Sequence, residues 1–351
     1  MLEMFDKETQ TGYNDEGLYS MSQLSQLLST KWAATKYLMA EGVIECPKRC
    51  IKCGYKMGWK KDPYETEVKF SKNLICKPVS AHKDCFTFRC KNRKCSYTFS
   101  AFTGSFFANK KKPANEILMC LHLWLAKANM PILKALTGWD EKTVLLYCQD
   151  FRRMVTRFIT DFIDMDVPEE LFTYEQMVGG PNQLVQLDES AFGKRKYGKG
   201  HHVDTKWVFG GVEIISDQNG RQRGGKFFAV VVPDRTAKTL LSAIKKWIRP
   251  GSIIISDCWA GYNKVEDLPN CEFQHFKVCH DRNYVDPDTG CHTNTIEGKW
   301  NGIKKAIPRQ AFRKDKVLQE YLAEQMWRNT NKGHLWEAII TSMRFYINKE
   351  I

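Results

Sequence analysis

The chain has 351 residues, 43% hydrophobic and 26% charged, so it is long enough to bury more than one core, and two or three domains are expected. Lys and Arg number 53 against 40 Asp and Glu, and the resulting charge of +13 favours a polyanionic partner such as nucleic acid. No apolar run reaches the roughly 18–20 residues that span a bilayer, and the acidic, polar start MLEMFDKETQTGYNDEG excludes a signal peptide. Thirteen cysteines without a secretory signal then speak for reduced thiols and a metal site in an intracellular protein, against a disulfide framework.

Residues 1–20 lack periodicity and read as a disordered leader. Residues 21–45 hold two short helical patterns, with Leu24, Leu27 and Leu28 on one face, then Trp32, Tyr37 and Leu38, and Gly42 as the stop. Residues 46–108 are cysteine-rich, and stretches such as FTFRC and SYTFSAFTGSFF read as small hairpins of a zinc-ribbon-like β module. Residues 113–165 are helical. ANEILMCLHLWLAKA follows Pro113, PILKALTG ends at Gly138, and Asp140 is placed to cap EKTVLLYCQDFRRMVTRFITDFI. Two helices joined by a short Gly-containing turn have the helix-turn-helix form, and Lys142, Arg152, Arg153 and Arg157 lie on the second. The three arginines are candidate DNA contacts, although an ordinary helical hairpin with a solvated basic face has the same pattern.

After Pro181 the period changes. LVQLDES, KWVFGGVEII and KFFAVVVPD read as three strands, TAKTLLSAIKKWI as an amphipathic helix, and SIIIS and CEFQHFKV as two more strands around a short linker at Tyr262. A helix opens at TIEGKW. Three antiparallel strands extended by parallel strands through helices make a mixed α/β sheet, the order of a ribonuclease H-like domain, here spanning 181–310. Residues 311–351 read as C-terminal helices that pack against that sheet.

Cys50 and Cys53 (CxxC), with Cys90 and Cys95 in CKNRKC, have the form of two zinc knuckles whose four thiolates make a closed tetrahedral, structural Zn²⁺ site. Cys46, Cys76, His82 and Cys85 compete as ligands, and Cys120, Cys148 and Cys258 lie in apolar patterns that suit a core.

Asp188 and Asp257 end the first and fourth strand-like runs, which lie side by side in a ribonuclease H-like sheet, and Glu297 opens a helix that can cross that sheet. Three hard oxygen ligands from separate elements, with positions left open, suit two Mg²⁺ or Mn²⁺ ions. Glu189 points to the opposite face, and Asp234, Asp286 and Asp288 read more simply as turn formers. Lys194, Arg195, Lys196 and Lys199, interleaved with Phe192 and Tyr197, are candidate phosphate contacts or a solvated loop. His292 and Asn294 are placed to line the cleft, and His280 is a weaker candidate.

DESAFGKRKYGKG, WVFGGVE, SDCWAGY and above all VDPDTGCHTNTIEGKWNGIKK resemble the Merlin superfamily of DDE transposases, whose bacterial relatives are insertion-sequence transposases with the same type of catalytic domain. The resemblance runs from about Lys31 to the C-terminal helices. It implies a DDE triad falling on Asp188, Asp257 and Glu297, and cut-and-paste DNA transposition with binding of terminal inverted repeats. It also implies that the 3′-OH freed by cleavage attacks the target DNA. Two ends held together imply a homodimer or larger assembly on double-stranded DNA, without a membrane. The site of action would be the nucleus in a eukaryotic source, the favoured one, or the cytoplasm and nucleoid in a bacterial one. The extra Cys46 in CPKRCIKC departs from the pattern. A domesticated regulator that binds DNA without cleaving it is the alternative, and a nuclease that cuts without joining is a third reading.

Overall fold

The computed structural model describes residues 14–60, 86–164, 177–193, 205–278 and 292–346. In chain order the elements begin with α1 (Met21–Leu27), α2 (Lys31–Ala40), β1 (Met57–Trp59), β2 (Thr87–Cys90) and β3 (Thr98–Ser100). Next come α3 (Ala114–Leu125), α4 (Met130–Thr137), α5 (Glu141–Asp164), β4 (Leu184–Phe192), β5 (Lys206–Ser216) and β6 (Gln222–Val232). The last are α6 (Ala237–Trp247), β7 (Ile253–Asp257), β8 (Gln274–Val278), α7 (Asn294–Ala306), α8 (Asp315–Thr330) and α9 (Leu335–Arg344). The chain divides into two compact units, Met1–Met154 with Asn331–Ile351, and Val155–Thr330. Among the described residues no helix is long and apolar enough to cross a membrane.

In the first unit β1, β2 and β3 form an antiparallel sheet whose aromatic side chains replace a deep core. Trp59 stacks on Phe88 at 4.0 Å, and Trp32 of α2 meets Trp59 edge-on. Ser20 and Gln23 cap α1 reciprocally, and Thr30 caps α2. α4 ends on Gly138 in the left-handed conformation, which glycine adopts without a Cβ penalty. The Asp140 carboxylate then accepts from the Thr143 amide at 3.0 Å, opening α5. The sequence places 311–351 together on the large sheet, but only the part up to the end of α8 belongs to that unit. α9 belongs to the first unit, where Trp336 is 1% exposed and donates through Nε1 to the Tyr37 hydroxyl at 2.8 Å. A large aromatic residue with a polar atom settles where both its ring and its N–H find partners.

The second unit is a mixed α/β structure around a five-stranded sheet in the order β6-β5-β4-β7-β8. β6, β5 and β4 are antiparallel, and β4, β7 and β8 are parallel. Helices cover both faces. Trp300 of α7 lies against one face, and α8 runs along the free edge of β6, where the Val231 amide donates to Gln319 and the Ala229 amide to the Met326 sulfur. On the other face the indole of Trp247 in α6 stacks on Phe228 at 5.5 Å.

The paired glycines of WVFGGVE make this two-sided packing possible. A Cβ on Gly210 would lie 2.6 Å from the Trp300 ring, and one on Gly211 would lie 2.5 Å from the Phe228 ring and 2.7 Å from Leu187. Adjacent strand residues face opposite sides, so each glycine admits one aromatic ring. Replacing Gly211 by Ala is therefore expected to overpack the α6 side and cost about 1–3 kcal/mol, read as a lower urea midpoint. An unchanged midpoint would contradict this account of the glycine pair.

Candidate active site and thiol cluster

β4 and β7 run parallel, with Val185 opposite Ile254 and Gln186 opposite Ile255. Carried two residues further, this register sets Asp188 opposite Asp257 on the same face of the sheet. Asp257 is the last residue of β7. Asp188 is not at a strand end as expected, because antiparallel bonding to β5 continues β4 as far as Phe192, with Asp188 opposite Gly210.

Glu297 lies in the first turn of α7 and is exposed. The Thr293 side chain makes no capping bond at this helix start. The Gln186 side chain of β4 does so instead. It is 1% exposed, its carbonyl oxygen accepts from the Thr295 and Ile296 amides at 3.1 Å each, and its amide nitrogen meets His292 Nδ1 at 3.3 Å. The buried strand thus supplies the acceptor that a helix start requires, and thereby holds the turn that carries Glu297. Thr293 Oγ1 donates to Glu297 Oε1 at 3.2 Å. One turn beyond Glu297, Trp300 Nε1 donates to Asp188 Oδ2 at 3.0 Å. Asn294, the first residue of α7, is exposed, and His292 is half-buried against Gln186.

Burial, joined by the charges of Asp257 and Glu297, raises the pKa of Asp188 to about 6 against the opposing Trp300 hydrogen bond. The three carboxylates therefore share one electrostatic environment, which a cation would relieve. Glu189 faces the other side of the sheet, where the Tyr262 hydroxyl donates to it at 2.8 Å. Its pKa is raised to about 7, first by burial and also by Asp257 and Asp188, so its charge reaches the site although its side chain turns away. Asp234 accepts from the Thr236 amide and from the Thr236 and Thr239 hydroxyls, the work of a turn and helix start. Asp286, Asp288, His280, Tyr197, Lys194, Arg195, Lys196 and Lys199 lie outside the described residues. Of the helical arginines, Arg153 and Arg157 are exposed one turn apart on α5, and Arg152 is half-buried.

In the first unit the sulfurs of Cys50, Cys53, Cys90 and Cys95 lie within 4.8 Å of one another, the single group of this kind among the described residues. Cys50 and Cys95 are 3.8 Å apart, and Cys53 and Cys90 3.5 Å. A tetrahedral Zn²⁺ with bonds of about 2.3 Å spaces its sulfurs by about 3.8 Å, so the cluster is compatible with a structural zinc. Each knuckle is closed by backbone bonds, Gly54 N–H to the Cys50 carbonyl and Cys95 N–H to the Asn92 carbonyl. Burial opposes the Cys50 thiolate, but backbone hydrogen bonds from Lys52 and Cys53 and the neighbouring thiols outweigh it and lower the pKa to about 7. Burial and those same neighbours push Cys90 up to about 12. Crowded thiols cannot all ionise together without a cation. Cys46 is exposed and outside the cluster, and Cys76, His82 and Cys85 lie outside the described residues. Cys120 and Cys148 are buried, whereas Cys258, expected in a core, is exposed just after β7.

Sequence reading missed Gln186 and Trp300 as partners of the carboxylates. Both carried a faint signal: Gln186 is the polar residue two before Asp188 in an apolar strand, and Trp300 follows Glu297 by one helical turn.

Residues 175–330 match the family model described as the ISXO2-like transposase domain. The chain is also 30% identical over 112 residues to an "Uncharacterized transposase-like protein" of Haemophilus influenzae, an alignment covering 30% of this chain and 82% of that protein. That relative is bacterial, and it lends no support to the expected nuclear site of action. The matched span holds the whole five-stranded sheet, Gln186 and all three carboxylates. The chain belongs to the insertion-sequence transposases that carry the ISXO2-like domain.

Proposed function

We propose that this chain is a metal-dependent DNA transposase of the cut-and-paste type, in which Asp188, Asp257 and Glu297 hold two Mg²⁺ or Mn²⁺ ions. The observation that carries the reading is the parallel β4–β7 register, Gln186 opposite Ile255, which carried two residues further brings Asp188 alongside Asp257, with Glu297 on the helix turn that Gln186 caps. The sheet order supports a ribonuclease H-like domain, and the motifs noted above support a place near the Merlin superfamily. The donor set fits hard divalent cations, being three carboxylates whose mutual repulsion a cation offsets. Bound ions would supply the charge that lowers the pKa of an attacking water or 3′-OH and stabilises the leaving oxygen.

The chain's own residues then have separable tasks. Asp188 is kept in orientation by Trp300, and Glu297 by the Gln186-capped turn. Strand cleavage at the terminal inverted repeats and attack of the freed 3′-OH on target DNA are both phosphoryl transfers, so one site serves both and no covalent protein–DNA intermediate is needed. α4 and α5, with Arg152, Arg153 and Arg157, are the proposed end-recognition helices, and Lys194, Arg195, Lys196 and Lys199 the proposed phosphate contacts near the acids. Holding two ends together calls for a dimer or larger assembly on double-stranded DNA. The four thiols hold a structural Zn²⁺.

A cleavage-and-joining assay on the element's own termini tests the reading. Wild type with Mg²⁺ or Mn²⁺ should nick the ends and join precut 3′-OH ends to target DNA. Asp257→Ala should lower both rates by about 10²–10³, the scale of losing one charge-stabilising group. Full cleavage by folded Asp257→Ala would remove the assignment. Gln186→Leu, which leaves the Thr295 and Ile296 amides without their acceptor, should weaken the metal response of cleavage. Gln186→Glu, which retains an acceptor oxygen, should recover most of it; equal loss in both variants would contradict the capping role. Elemental analysis of protein purified without chelator should find one zinc per chain, lost in Cys53→Ser. Zinc-free wild-type protein would disprove the thiol site.

A further inference from the structure

Trp259 of SDCWAGY has no task in the site as described, yet its indole is 42% exposed two residues beyond Asp257. It is nevertheless rigidly held. Its backbone N–H donates to Asp257 Oδ1 at 3.0 Å, and its Nε1 donates to the Arg235 carbonyl at 3.2 Å. The Arg235 guanidinium lies 4.8 Å from the Trp259 ring centroid and 4.1 Å from that of Trp207, so one cation is shared by two indoles. Gly261 keeps the space beside the indole open, since a Cβ there would stand 2.8 Å from Nε1. The ring thus has its hydrogen-bond donor satisfied and its orientation fixed, and still offers apolar surface to solvent. A flat ligand stacking on it would meet a surface that loses little freedom on binding.

We propose that Trp259 is a stacking platform for one unpaired nucleobase, carried by a nucleotide flanking the phosphodiester bound at Asp257, with Arg235 and Trp207 as its backing. The backbone bond to Asp257 ties the position of the ring to that of the carboxylate, so the base and the reacting phosphate are registered together. The proposal rests on the reading of Asp188, Asp257 and Glu297 as a phosphoryl-transfer site. Aromatic rings accept any base, so the site favours unstacked nucleotides over a particular sequence. An extruded base costs unpairing, least at a duplex end or junction.

The test is a double-mutant cycle on the full chain with duplexes carrying the element's terminal repeat. An abasic nucleotide is placed in turn at each position flanking the cleavage point, and binding is measured with Ca²⁺ in place of Mg²⁺. At one position the abasic change should weaken wild-type binding about 5- to 150-fold, and Trp259→Leu should bind equally weakly with or without that base. Trp259→Phe should keep most of the coupling. Both variants preserve the backbone bond to Asp257, and Trp259→Phe keeps the measurement available if Trp259→Leu does not fold. Additive losses at every position would overturn the proposal. Coupling without wild-type cleavage in Mg²⁺ or Mn²⁺ would support the base site while overturning the phosphoryl-transfer reading. Cleavage without coupling would overturn the base site alone.

Discussion

The pairing of β4 on both its edges is the constraint on which the second unit depends. Antiparallel bonds to β5 and parallel bonds to β7 fix its register from two sides. That register sends Gln186, Asp188, Ser190 and Phe192 to the α7 side, and Leu187 and Glu189 to the other. Two acidic residues stand next to each other here, so a slip of one residue would exchange Asp188 for Glu189 over the whole site. Packing opposes the slip. Gln186 is buried beneath the α7 amides, and Phe192 meets Trp300 and Phe312 edge-on at 6.2 and 5.3 Å. On the other face Leu187 is buried beside Gly211.

The same strand shows how a costly arrangement is held in place. Burying Asp188 raises its pKa, so the folded protein disfavours its charge, and the acids on either side add to that cost. Trp300 answers with a hydrogen bond, but only because Gly210 lets its ring lie close over β5. Glycine in a strand gives up side-chain packing and backbone stability. Here it admits an aromatic ring that both fills the core and orients a carboxylate. Gly210 and Trp300 are 90 positions apart in the sequence, and neither residue explains itself alone.

What could be read in advance follows from the range of each interaction. Strand alternation, helix caps and CxxC spacing are local, so the mixed sheet, the Asp140 cap and the two cysteine pairs were legible in sequence. The Gln186 bonds to the start of α7 join residues about 110 positions apart and leave no local mark. α9 failed for a related reason. Its apolar face suits any core, and only the partners of the Trp336 indole decide that it joins the first unit. Spacing alone also left Cys46 in competition with the four clustered thiols, and three-dimensional proximity separated it from them.

The two candidate metal sites are built on opposite principles, which argues for different tasks. Four sulfurs on two tight turns surround a point and leave no position open to water, so an ion there can hold the fold but cannot activate a nucleophile. The carboxylates come from two strands and a helix turn, with Asp188 half-buried and Glu297 exposed, an open arrangement of hard donors. Open positions are what a phosphate oxygen and an attacking hydroxyl would need. The exposed indole of Trp259, whose own backbone N–H bonds Asp257, adds a flat apolar surface next to one of those acids, suited to a substrate carrying both a phosphate and a flat ring. A nucleotide carries both, so carboxylates and indole together fit a nucleic acid better than an isolated phosphate ester.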